Sequence, residues 1–210
     1  ETILRTVEHE LEYARELGNQ KHYARVTLRV SPGASGSGIK FFSRLTDPDF
    51  PVAFVKGCEE GAREAADNGA LAGYPVIDIR IELTKAFLRE DDSSELSFKI
   101  AGAMCFREAC AKAEPVLLEP VMDTEVVTPD EFMGDVIADL SARRAKVQKR
   151  DVSGHNQLVR ALVPLSRMFG YATDLRSASQ GRATYTMLLH GYDRVPKGVQ
   201  EEIIARIRGM

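Results

Sequence analysis

The side chains best equipped for chemistry in this 210-residue sequence gather in three places. The first is the loop Gly33-Ala34-Ser35-Gly36-Ser37-Gly38. Its outer glycines have the spacing of a phosphate-cradling loop, in which backbone N–H groups wrap the phosphates and a Lys after the last Gly reaches the β- and γ-groups. Ile39 stands where that Lys is needed, so the loop reads as a flexible connection and not as a nucleotide site. The second place is Asp91-Asp92-Ser93 with Glu95, carboxylates beside a hydroxyl, the raw material of a self-contained hydrolase. A serine nucleophile needs a positioned base, and no His follows nearby in the sequence. Asp92-Ser93-Ser94-Glu95 reads better as a helix start, with its Glu three positions after the cap. The third place is Arg143, Arg144, Lys146, Lys149 and Arg150, with Arg167, Arg176 and Arg182 downstream. Cations are favoured at a helix C-terminus, and the same side chains suit a polyanion such as RNA.

The other reactive residue types add little. His9, His22, His155 and His190 are dispersed without metal-ligand spacing, and His155, after Ser153-Gly154, is expected in a hairpin turn. Cys58, Cys105 and Cys110 form an odd set with no paired spacing. Neither a disulfide framework nor a zinc quartet follows, and a reducing cytoplasm is the expected setting. A content of 44% hydrophobic and 28% charged residues is ordinary for a globular protein. The net charge is −3, with 15 basic and 19 acidic side chains in residues 1–114 and 13 and 12 in residues 115–210. Non-specific phosphate attraction therefore cannot supply the main affinity, and any RNA recognition has to be local and shaped. No apolar run approaches the roughly 20 residues that span a bilayer, and no secretory leader pattern opens the chain. Glu1 begins a strand-like run without an initiator Met, the expected look of a piece of a longer protein.

The elements that must position these residues follow from apolar spacing. Val7, Leu11, Tyr13 and Leu17, then Tyr23, Val26, Leu28 and Val30, flank a polar Gly18–His22 turn and predict a long hairpin. Arms of about a dozen residues at about 3.3 Å each would carry that turn on the order of 40 Å from the base. A strand is predicted over 39–45, a helix over 51–68 with Gly69 as its C-cap, and β-rich chain over 76–87. A helix then runs to about Lys112, with Leu96, Ile100, Ala103 and Met104 as its buried stripe. Glu114-Pro115 marks a boundary. Beyond it come strand 116–126, helix 130–143, strands 145–151 and 156–163, helix 166–176 and strand 181–190, with Thr128-Pro129-Asp130-Glu131 as a helix start signal. That order, βαββαβ, is the ferredoxin-like arrangement. The stretch from Pro196 to Arg208 carries Val199, Ile203, Ile204 and Ile207 on one stripe and needs a surface to cover. The fold class is α+β in two domains.

One stretch, Leu162 to Met187 (LVPLSRMFGYATDLRSASQGRATYTM), closely resembles the C-terminal region of translation elongation factor G, and further blocks carry the likeness along the chain. They are Glu1-Thr2-Ile3, Leu71-Ala72-Gly73-Tyr74-Pro75-Val76, Asp92-Ser93-Ser94-Glu95 with Phe98-Lys99-Ile100-Ala101, Pro115 through Pro120, and Gly134 through Asp139-Leu140 to Arg143-Arg144. The resemblance implies the family's fourth and fifth domains. Residues 1–114 would be a ribosomal protein S5 domain 2-like arm, 115–192 a ferredoxin-like domain, and 193–210 a helix returning to the arm. It also implies a ribosome-binding role in GTP-driven translocation, with the arm tip at the decoding centre and the second domain against large-subunit RNA and protein. The partners would be ribosomal RNA, ribosomal proteins and the tRNA–mRNA duplex, bound by a monomer with no membrane or DNA partner. This fragment would hold no cofactor and catalyse nothing, GTP and Mg belonging to an N-terminal domain of the parent protein.

At the tip the sequence departs from the family. The first loop usually runs close to Gly-Gly-X-Gly-Gln-Tyr, and here it reads Gly18-Asn19-Gln20-Lys21-His22-Tyr23. The second usually carries Asp-Gly-Ser-Tyr-His, and Lys85-Ala86-Phe87-Leu88-Arg89 fills it, followed by Glu90-Asp91-Asp92. Lys21, His22, Lys85 and Arg89 suit phosphate or 2′-hydroxyl contacts; the three carboxylates beside them oppose that contact unless they pair with those bases. A standard translocase and a paralogue specialised for ribosome recycling or stress-time translation both fit this pattern. Arg143, Arg144, Lys146, Lys149, Arg150, Arg176 and Arg182 are the expected ribosome contacts of the second domain.

Overall fold

The computed structural model describes residues 1–210 apart from 19, 155, 208 and 210, with the backbone only at 17 and 153. Asn19, His155 and Arg208, named above for the tip, a turn and the last helix, lie outside the described residues. The chain forms two compact units, Glu1–Leu117 together with the segment from Val195 onward, and Leu118–Arg194.

The first unit runs β1 (Thr2–Ile3), β2 (Val7–Leu17), β3 (Gln20–Pro32), β4 (Ile39–Ser43), α1 (Val52–Asp67), β5 (Ile79–Phe87), α2 (Glu95–Lys112) and β6 (Pro115–Val116). Its main sheet has the order β2-β3-β5-β4, and β1 pairs separately with β6. Only the β4–β5 pair is parallel, and α1 lies in the crossover that such a pair requires. Alternation decides the faces. Val26, Leu28 and Val30 of β3 and Ile79, Ile81 and Leu83 of β5 are buried against Phe98, Cys105 and Phe106 of α2, while Arg25, Arg29, Arg80 and Glu82 point the other way. Phe54 stacks on Phe98 with ring centroids 4.9 Å apart, and Phe50 meets both edge-on.

The two helices touch through glycine. A Cβ placed on Gly61 would lie 1.9 Å from the Lys99 carbonyl oxygen, and one on Gly102 would lie 2.4 Å from that of Cys58. At the base, the Glu1 carboxylate accepts four backbone N–H groups, from Ala70, Leu71, Ala72 and Tyr74 at 2.7–3.1 Å. The loop after α1 thus folds around an anion supplied by the chain itself.

Three expectations for this unit are corrected. Gln20, Lys21 and His22 are not turn residues: the ladder continues to Leu17↔Gln20, so they belong to β3. The α2 cap is Ser94, whose Oγ accepts from the Ser97 N–H (3.2 Å) while Ser97 Oγ accepts from the Ser94 N–H (2.8 Å); Asp92 and Glu95 do not form the box. The fully buried face of α2 carries Phe98, Ala101, Cys105, Phe106 and Ala109; of the expected stripe, Ile100, Ala103 and Met104 pack half-buried against the core and Leu96 is 56% exposed. Apart from Phe98 and Phe106, that face is built of Ala101, Cys105 and Ala109, which offer less hydropathy than the stripe at 96, 100, 103 and 104.

The second unit runs β7 (Leu118–Pro129), α3 (Met133–Ala142), β8 (Lys146–Ser153), β9 (Asn156–Pro164), α4 (Tyr171–Ala178) and β10 (Thr184–Arg194). Its antiparallel order β10-β7-β9-β8 is the ferredoxin-like arrangement. Val126, Val159, Ala161 and Val163 of the sheet pack on Val136, Leu140, Tyr171 and Leu175 of the helices. Both helices begin later than the spacing predicts. The Thr128–Glu131 signal yields a 3-10 turn over Asp130–Phe132, and Thr128 Oγ1 turns to the Pro129 carbonyl instead of capping. The predicted helix from Ser166 splits into a 3-10 turn, Leu165–Arg167, and α4, because Gly170 takes φ +79° between them.

The chain then returns to the first unit. Val195 N–H donates to the Leu117 carbonyl (3.0 Å), and Gln200 Oε1 of α5 (Lys197–Ile207) accepts from Leu117 N–H at 2.8 Å. Val199, Ile203 and Ile204 are half-buried. Ile207, expected on the same covered stripe, is 48% exposed.

Candidate functional site

β2 and β3 pair from Val7↔Val30 to Leu17↔Gln20, whereas the β3–β5 ladder begins only at Arg25↔Phe87. The last turns of the hairpin therefore have no third strand beside them. Gly18 sits at the end with φ +63° and open space around its Cα, a left-handed position that suits Gly. Lys21 stands opposite Glu16 and His22 opposite Arg15, so this end of the ribbon carries three nitrogen-bearing side chains around one acid.

The chain after β5 folds against the ribbon and supplies the rest of the site. Tyr23 N–H donates to the Asp92 carbonyl (2.8 Å), and Ser93 Oγ donates to the Tyr23 carbonyl (2.8 Å) while accepting from Arg89 N–H (2.9 Å). These bonds bring the Arg89 guanidinium over the buried Tyr23 ring, 3.8 Å from its centroid. A guanidinium stacked this way loses little rotamer freedom on binding and keeps its edge free for an oxygen. An open recess of about 230 Å³ is lined by Arg15, Lys21, His22, Tyr23, Arg89 and Asp92. On the adjoining side, Gln20, Lys21 and His22 face Asp91, Asp92 and Ser93 across a second recess.

The structure therefore gathers Gly18, Gln20, Lys21, His22 and Arg89 at one end of the arm. It does not bring Lys85 there: Lys85 lies inside β5 opposite Thr27, six residues down the ladder from Lys21. Arg15 belongs to the tip and escaped sequence reasoning, and Tyr23, read there as the last residue of the first tip loop, takes its role from Arg89. Taking Gly18-Asn19 as a two-residue hairpin turn places Arg15 across from His22, so register was the available signal. The hydrolase reading loses its nucleophile. His22 does come near the acidic cluster in space, but the Ser93 hydroxyl donates its proton to a backbone carbonyl.

The glycine loop is closed by the chain's own acid. The Asp78 carboxylate accepts from Gly36 N–H and Gly38 N–H, each at 3.0 Å, and the Asp78 carbonyl accepts from Gly33 N–H at 2.7 Å. The loop expected to be a flexible connection is instead tied at three points. The thiols are equally withdrawn. Cys58, Cys105 and Cys110 are fully buried, and burial raises all three, Cys105 and Cys110 to about 12. They are therefore poor nucleophiles and poor metal ligands at neutral pH.

In the second unit most of the expected cations are already paired. Arg143 bonds the Asp139 carboxylate (2.9 Å), the Asp174 carboxylate and the Arg167 carbonyl (2.6 Å), beneath which Tyr171 lies 5.0 Å away. Burial works against its charge, and the two carboxylates outweigh it, raising its pKa. Arg144, at φ +64°, grips Glu119 with both contacts at 2.7–3.0 Å. Lys146 pairs with Asp193, Lys149 with Asp151, and Arg182 with Glu131 while lying over Phe132. Arg150 and Arg176 are exposed and have no acidic partner among the described residues. The expected contact surface of this unit thus narrows to Arg150 and Arg176, with Lys146 and Lys149 exposed but paired.

Among the described residues no group of three or more His, Cys, Asp or Glu could hold a metal, and no helix is long and apolar enough to cross a membrane. Residues 1–114 match the family described as elongation factor G, domain IV, and residues 116–203 match elongation factor G C-terminus. A crystal structure of a protein from Thermus thermophilus superposes with a TM-score of 0.88 at 33% identity, covering 100% of this chain and 31% of that one. The chain thus spans about a third of that relative's length, and the two matched regions carry no GTPase catalytic domain. With both units accounted for, the chain belongs to the elongation factor G family, of which it comprises domain IV and the C-terminal domain.

Proposed function

We propose that this chain is the ribosome-binding part of an elongation factor G-type translational GTPase and that the end of its hairpin enters the decoding centre during GTP-driven tRNA–mRNA translocation. The observation that carries this reading is the end of the β2–β3 ribbon beyond the β5 ladder, where Lys21, His22, Arg15 and the Tyr23-stacked Arg89 outnumber Glu16 and Asp92 around a recess open to solvent. Cations held on a paired β-ribbon suit recognition of an RNA backbone by shape, and they need no net positive charge on the molecule. GTP and Mg belong to a catalytic domain elsewhere in the parent protein, which works in the cytoplasm as a monomer. Arg150 and Arg176 are the second unit's contacts to ribosomal RNA or protein.

One observation favours a second reading, a paralogue devoted to ribosome recycling or stress-time translation. Asp91 and Asp92 stand across the recess from Lys21 and His22, which sets a carboxylate field against any phosphate approaching from that side. The decisive experiment uses the full-length protein with Lys21→Ala and Arg89→Ala together, in single-turnover translocation with GTP. A loss of at least tenfold in rate, with unchanged thermal melting, is expected from removing two phosphate contacts of about 1 kcal/mol or more each. Normal translocation by the double variant would refute the tip assignment. A wild-type protein that splits post-termination ribosomes but does not translocate would establish the second reading.

A further inference from the structure

The face of the first unit's sheet turned away from the helices runs on from Lys21 and Tyr23 at the tip, and below them its chemistry is sorted in stripes. The β2 edge carries Glu8, Glu10 and Glu12, opposite Arg29, Thr27 and Arg25 of β3. Beyond that edge the face turns basic: Arg25, Arg29, Lys40, Arg80 and Lys85 lie on β3, β4 and β5, and Arg44 directly follows β4, with Glu82 as the acid among them. Glu82 is shared by two guanidinium groups, Arg44 at 2.9 Å and Arg80 at 3.2 Å, so that trio keeps a positive charge. Two phenylalanines break the surface within this field. Phe42 is 37% exposed beneath Arg80 (4.5 Å to the ring centroid) and Arg44 (5.9 Å), and Phe87 is 43% exposed beneath Arg25 (4.4 Å).

Exposed rings interleaved with arginines on a sheet are the surface on which unpaired bases stack while cations follow the phosphates. Phe42 and Phe87 lie on neighbouring strands, and Lys40, Arg29 and Lys85 flank them with exposed charges. The row of glutamates on β2 repels a polyanion from the remaining edge and confines it to the basic half. We propose that the β3–β5–β4 face is a second RNA-binding surface, below the hairpin end, and that it takes single-stranded RNA by stacking a base on Phe42 and holding phosphates with Lys40, Arg80 and Arg29. The inference rests on the reading that the partner is RNA and adds a site to it. A protein partner is disfavoured because the face carries six cations and two small aromatic patches where a protein interface core is depleted of charge.

The test is fluorescence anisotropy of the chain with a labelled oligouridine of about twelve nucleotides, across a salt series. Wild type is expected to bind, with Phe42→Ala weakening binding about tenfold and Lys40→Glu weakening it while lowering the salt slope by about 0.7. Both positions are exposed, and unchanged thermal melting establishes that neither variant is misfolded. Lys56→Glu, at an exposed position of α1, is expected to bind like wild type, and Lys21→Glu is expected to leave the Phe42-dependent part of the binding in place. No binding by wild type, or binding unaffected by Phe42→Ala and Lys40→Glu, overturns the proposal. Binding lost with Lys21→Glu alone also overturns it and leaves the hairpin reading standing, since that reading is judged by translocation and not by oligonucleotide affinity.

Discussion

Arg143 is 13% exposed and meets two carboxylates and a backbone carbonyl, so its charge serves the joint between α3 and α4. Replacing it with Ala leaves Asp139 and the Arg167 carbonyl without their donor and removes packing over Tyr171. The expected cost is about 2 kcal/mol, read as a lower urea midpoint of the second unit, while Arg150→Ala leaves the midpoint within about 0.5 kcal/mol. The contrast separates cations that hold the fold from cations that remain available. The sequence shows both kinds as one run of five bases, because a fork-shaped contact to Asp174, thirty-one residues away, leaves no local trace. The role of Tyr23 was hidden for the same reason: it depends on Arg89, which reaches the ring only after β5 has crossed back over the sheet.

α1 and α2 meet backbone to backbone at Gly57, Gly61 and Gly102. Gly61→Ala would place a methyl group 1.9 Å from the Lys99 carbonyl oxygen, so the helices must part or tilt. That overpacking is expected to destabilise the first unit by about 1–3 kcal/mol, outweighing the roughly 1 kcal/mol that Ala gains over Gly in a helix interior. Thermal melting gives the sign directly: a stabilised Gly61→Ala protein would contradict the close approach. Element identity was largely legible here. The long hairpin and the βαββαβ order follow from period-2 and period-3.6 spacing, whereas the parallel pairing of β4 with β5 is read only from the structure. Boundaries and buried faces were less so. A helix face built of Ala, Gly and Cys buries as much backbone as one built of Leu, but it offers little hydropathy to find it by. Capping misled as well, because Ser94 and Ser97 form a reciprocal pair inside a run where Asp92 and Glu95 present the more familiar spacing.

Across the molecule, the last helix is a modest partner. It joins the first unit through Leu117 with Val195 and Gln200, and Val199, Ile203 and Ile204 are half-covered. Ending the chain after Arg194 removes both bonds and uncovers part of Leu117, now 3% exposed. A fall of a few degrees in the melting temperature of the first unit is expected, with the second unit unchanged; an unaltered melt would show that α5 adds nothing to the unit. The carboxylate of Asp78, seated among the amides of the glycine loop, carries a broader meaning. A phosphoryl group approaching there would have to evict a like charge already holding the donors it needs. The seat that the glycine spacing offers to an anion is therefore already taken from within.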